Sequence, residues 1–218
     1  MDTRASQAPG WIGSGIMIVA MMAIAGCGPT RFARSATTPG PGTPHLRRVL
    51  AIGMTGDAEK RQRMENAIVE QITARSERIN ATPSYLVAGD ILQQQKKGGF
   101  PDGTQPSTDD FDSAVVCRVT DPKQPGVYLP GRMLVPPEHY RTIWAYYEHW
   151  KPVVFDQDYD EPDRNAWVET ELYDMPDGEL VYSAMSRRMD PKSAADLMTA
   201  VGMTVAKDLQ ARGLIAGK

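Results

Sequence analysis

Two carboxylates, Glu169 and Glu171, are the side chains in this sequence whose type and spacing best suit acid–base chemistry. They lie in an alternating segment, so a strand would place both on one face together with Trp167 and Tyr173. Paired carboxylates beside aromatic rings are the arrangement that glycoside hydrolysis uses. The same spacing is typical of an ordinary solvent-exposed strand face, and the pattern favours this second interpretation.

Metal-binding chemistry finds little support in the sequence. His139 and His149 do not have the i, i+4 spacing of a helical metal pair. The acidic run 156–160 begins like a calcium loop, but Glu161 stands where an EF-hand needs glycine and Trp167 where it needs glutamate. We therefore predict no metal and no cofactor, surface positions for both histidines, and a solvated acidic loop.

The densest aromatic cluster lies in residues 140–150, and it contains Tyr140, Trp144, Tyr146, Tyr147 and Trp150. Such density indicates either a local core or a binding surface, because Tyr and Trp supply large contact areas at low entropic cost. The apolar neighbour of Trp144 favours a core position for it, whereas the polar neighbour of Tyr147 favours an exposed one. Trp144, Tyr146, Tyr147 and Trp150 are the candidate binding residues.

Composition excludes several classes of function. The 218 residues carry 24 basic and 27 acidic side chains, a net charge of −3, so nucleic-acid binding is not expected. Two cysteines are too few for a disulfide scaffold or a four-cysteine zinc site. Cys117 lies in a predicted strand, which favours a buried and unreactive thiol. The sequence contains no P-loop, Gly-x-Gly-x-x-Gly, Gly-x-Ser-x-Gly or Ser-x-x-Lys motif.

Residues 1–26 have the layout of an export signal. The uncharged run 11–25 fits a secretory hydrophobic region and is shorter than the roughly 20 apolar residues that cross a bilayer. It leads into Ile24-Ala25-Gly26-Cys27, which resembles the lipobox of bacterial lipoproteins. The resemblance implies that Cys27 carries a diacylglycerol thioether and, after cleavage, a further acyl chain, which together anchor stably. Gly28 follows Cys27 where Asp would retain the protein, which implies sorting to the outer membrane, facing the periplasm.

The remaining chain divides into a tether and a body. Residues 27–46 hold the lipidated cysteine and a flexible segment rich in Gly, Pro and Thr, with a predicted reach between roughly 25 and 60 Å. Residues 47–218 form one periplasmic domain. Residues 93–110 are expected to be a long loop, and the pattern of 128–165 predicts no definite element.

The periodicity of the body predicts an α+β fold, with a single mixed or antiparallel sheet and two amphipathic helices on one of its faces. Strands are predicted at 49–54, 83–87, 113–119, 167–173 and 179–186. The first helix follows an Asp57 cap and extends to about Arg75, with an apolar stripe at Met64, Ala67, Ile68 and Ile72. The second follows an Asp190 cap and ends before Gly213, with its stripe at Leu197, Val201, Val205 and Leu209.

Three segments together resemble small periplasmic lipoproteins of Gram-negative bacteria. They are "RRVLAIGMTGDAEKRQRMENAIVEQI", the hairpin "VETELYDMPDGELVYSAMS" and a last helix ending in "DLQARGLIAGK". The body is similar to the compact α/β domain of the penicillin-binding-protein activator lipoproteins and of the curli secretion lipoprotein. The resemblance carries no catalytic residue, and Cys27 is the one functional residue that it implies.

These observations lead to a non-enzymatic protein attached to the membrane through the lipid on Cys27. We expect it to bind an envelope protein, not identified by the sequence, as an accessory factor in cell-envelope assembly. One alternative is a cell-wall or glycan-modifying enzyme that uses the acidic and aromatic residues of 139–171. The other is a structural envelope lipoprotein that associates with itself. The oligomeric state is not predicted.

Overall fold

The computed structural model describes residues 30–37, 46–87, 110–133, 135–156, 165–175, 177–189 and 191–215. Within these ranges six strands form one sheet, in the order β1-β6-β5-β4-β2-β3. The strands are β1 Arg31–Thr37, β2 Arg48–Met54, β3 Asn80–Pro83, β4 Ser113–Thr120, β5 Asn165–Asp174 and β6 Leu180–Met189. Strand β2 pairs in parallel with β3 and β4, and the other pairs are antiparallel. The predicted α+β class with a single mixed sheet is therefore confirmed.

Helices cover both faces of this sheet. They are α1 Ala58–Thr73, α2 Ser84–Val87, α3 Ile143–Asp156 and α4 Ala194–Ala211, together with a short 3₁₀ helix at Glu138–Tyr140. The amphipathic helices α1 and α4 pack side by side on one face, as predicted, and share a core with alternate residues of the strands. The opposite face is covered by α3 and by the segment 127–140, a layer that the sequence pattern did not predict.

Helix α1 follows the sequence prediction closely. The Asp57 carboxylate accepts the backbone N–H groups of Glu59 and Lys60, each at 2.9 Å, and so caps the helix. The four residues of the predicted apolar stripe are all buried against the sheet, at Met64, Ala67, Ile68 and Ile72.

Helix α4 begins later than predicted. Ser193 is the cap, because its hydroxyl accepts the backbone N–H of Asp196 at 3.1 Å. Asp190 cannot fill that role, since the helix begins four residues further on, at Ala194. The predicted stripe is buried throughout, at Leu197, Val201, Val205 and Leu209. Gly213 ends the helix with a φ of +74°, as predicted, and Leu214 packs back into the core.

The strand predicted at 83–87 is wrong in its position. Strand β3 ends at Pro83, and Ser84–Val87 turns into helix α2. The turn is fixed by Glu65 of α1, a fully buried residue whose carboxylate accepts the Ser84 hydroxyl at 2.7 Å and the Tyr85 N–H at 3.2 Å. The same carboxylate accepts the Gly53 N–H at 3.0 Å, so it joins β2, α1 and α2. Hydrophobicity alone does not indicate such a buried acceptor.

The predicted tether differs most from the structure. Residues Arg31–Thr37 form β1, which pairs antiparallel with β6 and makes one edge of the sheet. The physical reason is that β6 would otherwise leave a row of backbone groups without partners along its outer side. The segment 30–38 is also free of glycine and proline, unlike the residues on either side of it. The described residues do not include the predicted signal 1–26, Cys27, residues 93–109 of the predicted loop, or Asp158 and Asp160 of the acidic run.

Candidate functional site

The candidate site begins with the way α3 is fixed over the sheet. The Thr142 hydroxyl accepts the backbone N–H of Ala145 at 3.2 Å, which caps the helix. The N–H of Ile143 donates to the Gly178 carbonyl at 3.0 Å, and that of Leu180 donates to the Arg141 carbonyl at 2.9 Å. Gly178 has a φ of +68° at the turn between β5 and β6, where Asp-Gly predicted a hairpin. The start of α3 is therefore bound to this hairpin.

The aromatic residues of α3 point mainly into the protein. Ile143, Tyr146, Tyr147 and Trp150 follow one helical stripe, and all four are buried. Tyr147 is 6% exposed, so its predicted surface position is wrong: the stripe that contains it faces the sheet. Trp144 is half-buried and packs against the same core. This geometry fits the core interpretation, and the binding role of Trp144, Tyr146, Tyr147 and Trp150 stays a prediction.

Beneath α3 lies a buried ion pair. Arg118 of β4 and Glu169 of β5 stand directly opposite each other in the sheet, and they are 2% and 0% exposed. The guanidinium donates to one oxygen of Glu169 through Nη2 at 2.7 Å and through Nε at 3.1 Å. Two donors from a single guanidinium orient the Glu169 carboxylate and stabilise its negative charge.

Two tyrosine hydroxyls complete the coordination of Glu169. Tyr146 donates to Oε2 at 2.8 Å, and Tyr140 donates to Oε1 in a short hydrogen bond. The Tyr140 oxygen in turn accepts the backbone N–H of Tyr128 at 2.9 Å. Burial, followed by the charge of Glu169, raises the pKa of both tyrosines above the ordinary value, so both remain neutral donors at neutral pH. Glu169 thus connects β4, α3 and the segment 128–140.

Arg118 also joins this cluster to a stack of rings. Its guanidinium carbon lies 3.7 Å from the centre of the Trp150 ring. His149 contacts the same indole edge-on, with ring centres 4.6 Å apart, and stacks on His139 at 3.7 Å. The cation–π contact is largely desolvated and therefore strong. Burial of Arg118 lowers the pKa of its guanidinium, but Tyr146 and Glu169 outweigh that effect and raise it, so the group stays charged.

Glu171 is the second buried carboxyl, and it differs chemically from Glu169. It is 0% exposed, and its Oε1 accepts the Ser183 hydroxyl of β6 at 2.9 Å. Burial and the nearby charge of Glu169 raise the pKa of Glu171 well above its usual range, which favours the neutral acid. The prediction of an exposed face for Glu169 and Glu171 is wrong, because α3 and the segment before it cover this side of the sheet.

The cluster is suited to holding layers together rather than to transforming a substrate. A catalytic acid or base must reach the proton that it transfers. Both carboxyls are fully buried, and the oxygens of Glu169 are already occupied by Arg118, Tyr140 and Tyr146. The sequence signal of this buried pair was Arg118, the one charged residue of the predicted strand 113–119, and this signal was missed.

The remaining predicted residues take ordinary positions. Cys117 is buried on the α1–α4 face, as expected, and burial raises the pKa of its thiol to about 12. His149 is exposed, as predicted, and His139 is partly buried, with a ring nitrogen 3.0 Å from the Gly126 carbonyl oxygen.

Among the described residues, no group of three or more potential metal ligands is found. None of the helices in these ranges has the length and hydrophobicity to cross a membrane.

The fold and the buried cluster define an α+β protein with one mixed sheet covered on both faces. Comparison with protein-family models gives no match, and no curated protein matches in sequence. Among solved structures, the chain is similar to a PelC dodecamer from Paraburkholderia phytofirmans, at 13% identity and a TM-score of 0.40 over 83% of this chain and 97% of PelC. A single-residue variant of the same PelC gives 15% identity and a TM-score of 0.40, over 84% and 98% of the two chains.

At this identity and TM-score, the likeness is too distant to transfer function or assembly from PelC to this chain. The resemblance to penicillin-binding-protein activator and curli secretion lipoproteins stays a prediction.

Proposed function

We propose that this chain is a lipoprotein of the bacterial envelope, anchored through Cys27 at the periplasmic face of the outer membrane. The sequence Ile24-Ala25-Gly26-Cys27 carries the proposal, since it follows an uncharged apolar run of the length typical of an export signal. The body then acts by binding, as a non-enzymatic accessory factor in envelope assembly. Support for a binding role comes from the burial of Glu169 and Glu171, the carboxylates that the competing glycan chemistry would use.

Metabolic labelling with a palmitate analogue in a Gram-negative host tests the anchor. The wild-type chain should take up the label and fractionate with the outer membrane. Cys27→Ser should remain an unlabelled precursor, whereas Cys117→Ala, the matched control at the other cysteine, should label normally. Wild-type protein that is exported and cleaved without lipid would contradict the proposal.

Crosslinking in intact envelopes, followed by purification of the anchored protein, tests the accessory role. A reproducible protein partner is the expected result. Retained glycan without a protein partner would instead favour the glycan-modifying enzyme. Trp144→Ala is the informative variant, because Trp144 is the half-buried member of the aromatic group and can contact a partner without unfolding.

Self-association is a second candidate function, favoured by the open outer edge of β1. In the described sheet β1 pairs on one side with β6 and forms the edge on the other. An edge strand offers backbone donors and acceptors to another chain. Self-association predicts a defined oligomer in the absence of any partner, whereas the accessory role does not require one. Multi-angle light scattering of the detergent-solubilised protein therefore distinguishes the two.

A further inference from the structure

The strand nearest to the anchor is attached to the body at both ends. Strand β1 pairs with β6 from Arg31, opposite Arg187, to Thr37, opposite Tyr182. Just before the strand, the Arg188 guanidinium donates to the Thr30 hydroxyl at 3.4 Å. Further along, the Arg212 guanidinium donates to the Ser35 hydroxyl at 2.8 Å. The position of Thr30 is therefore fixed relative to the whole domain.

The length of chain between this strand and the anchor is short. Only Gly28 and Pro29 stand between Cys27 and Thr30 in the sequence, so the Cα atoms of Cys27 and Thr30 are three peptide bonds and at most about 11 Å apart. The tether predicted from composition had a reach between roughly 25 and 60 Å. A lipid on Cys27 therefore holds the beginning of β1 close to the membrane surface and removes most of the freedom that the tether would give.

We propose that one corner of the domain lies against the phospholipid surface. This anchor corner consists of Thr30, Arg187, Arg188, Lys192 and Asp196. Arg188 joins its parts, because it contacts Thr30 and forms an ion pair with Asp196 at 3.2 Å. The backbone N–H of the exposed Lys192 donates to the same carboxylate at 3.1 Å. The inference rests on the proposed lipidation of Cys27.

The opposite end of the sheet then points away from the membrane. Strand β6 starts beside the Asp177–Gly178 turn and ends next to the anchor corner, and its ten residues span roughly 30 Å. The turn that holds the start of α3 therefore faces the periplasm, together with the beginning of β2 at Arg48.

The covalent anchor, rather than charge, sets this orientation. The end of the sheet near the anchor corner exposes acidic and basic side chains together, including Asp57, Asp121, Lys123 and Lys192. Such a mixture gives little net attraction to anionic headgroups. The orientation should therefore be insensitive to salt.

Quenching of a fluorophore by lipid headgroups measures the orientation directly. The full lipidated chain is labelled with bimane at Lys192→Cys or, as the matched exposed control, at Asp177→Cys. The lipid occupies Cys27, and burial raises the pKa of the Cys117 thiol to about 12, so the label enters at the introduced cysteine. The protein is placed in phosphatidylethanolamine–phosphatidylglycerol vesicles that contain a lipid with a nitroxide headgroup.

We expect quenching to be several-fold stronger at position 192 than at 177, at low and high salt alike. Insertion of about twenty glycine and serine residues after Pro29, a coil of roughly 25 Å, should remove the difference. Equal quenching in wild-type protein that is shown to be lipidated would overturn the inference and leave the proposed function intact. Purified protein without lipid would overturn the proposed function and this inference with it.

Discussion

Replacing Glu169 by Gln tests the idea that the buried ion pair holds α3 on the sheet. The change keeps the size of the side chain and removes its charge, so the 2%-exposed Arg118 is left without its counter-charge. It also replaces a carboxylate that accepts four hydrogen bonds by an amide with a single acceptor oxygen.

The expected cost is large compared with the total stability. Breaking a buried pair by removing one partner costs about 3–5 kcal/mol, because the other charge stays buried. Domains of this kind unfold with a total of about 5–15 kcal/mol. Glu169→Gln should therefore lower the free energy of unfolding by about 3–5 kcal/mol.

Urea unfolding followed by tryptophan fluorescence is the assay, since Trp150 lies directly over Arg118. Glu59→Gln is the matched control: Glu59 pairs with Arg63 on the exposed side of α1, where such a pair contributes at most about 1 kcal/mol. The double variant Arg118→Met with Glu169→Gln should cost less than the sum of the two single changes, because it leaves no unpaired charge. A loss below about 1 kcal/mol for Glu169→Gln, or strict additivity in the double variant, would refute this reasoning.

Three further predictions concern residues around the two cores. Tyr147→Ala should lower the free energy of unfolding, measured by urea titration, by about 3–5 kcal/mol, because the side chain is buried. Leu86→Ala, at a side chain that is 67% exposed, is the control and should change it by less than about 0.5 kcal/mol. Equal effects of the two substitutions would contradict the buried position of Tyr147. A thiol reagent at pH 8 should modify Cys117 only after denaturant is added, because burial raises the pKa of this thiol to about 12. Rapid modification of Cys117 in the native protein would contradict this prediction. Burial, His139 and Arg118 lower the pKa of His149 from its usual 6.5. Just below that pH, His149 is therefore protonated more fully in the unfolded chain than in the folded protein. The raised pKa of Glu171 acts on stability in the opposite direction, so the effect of His149 is measured as a difference from His149→Gln. The melting temperature of the wild-type protein relative to this variant should fall as the pH drops from about 7 to about 5, and an unchanged difference would contradict the prediction.

The parts of the fold that local pattern determines were predictable from the sequence. Both long amphipathic helices have apolar stripes at helical spacing, and each stripe faces the sheet as expected. The Asp57 cap and the Asp-Gly hairpin rely on interactions within a few residues, so their signals are short and specific. The start of the last helix was misplaced, because several residues before Ala194 can serve as caps.

The candidate site depended on contacts that no local pattern encodes. Glu169 and Glu171 alternate along β5 as surface residues would, and their burial depends on α3, which covers them from another part of the chain. The neighbours of each aromatic residue in α3 favoured a core position for Trp144 and an exposed one for Tyr147, and the position of the sheet shows that Tyr147 is buried. Strand β1 was missed for the same reason, since its partner β6 is distant in the sequence.

The pairing of β1 with β6 also constrains the order in which the protein folds. The contact between Thr30 and Arg188 joins residues 158 positions apart, so the first strand of the body can complete its pairing only after nearly all of the chain is available. Contacts at such separation are slow to form, because a long loop must close first. In a chain that becomes available from its N-terminus, as export of the proposed lipoprotein implies, β1 would emerge first and pair last. Until then β6 would present an open edge, and the incompletely folded protein would be most prone to aggregation in that interval.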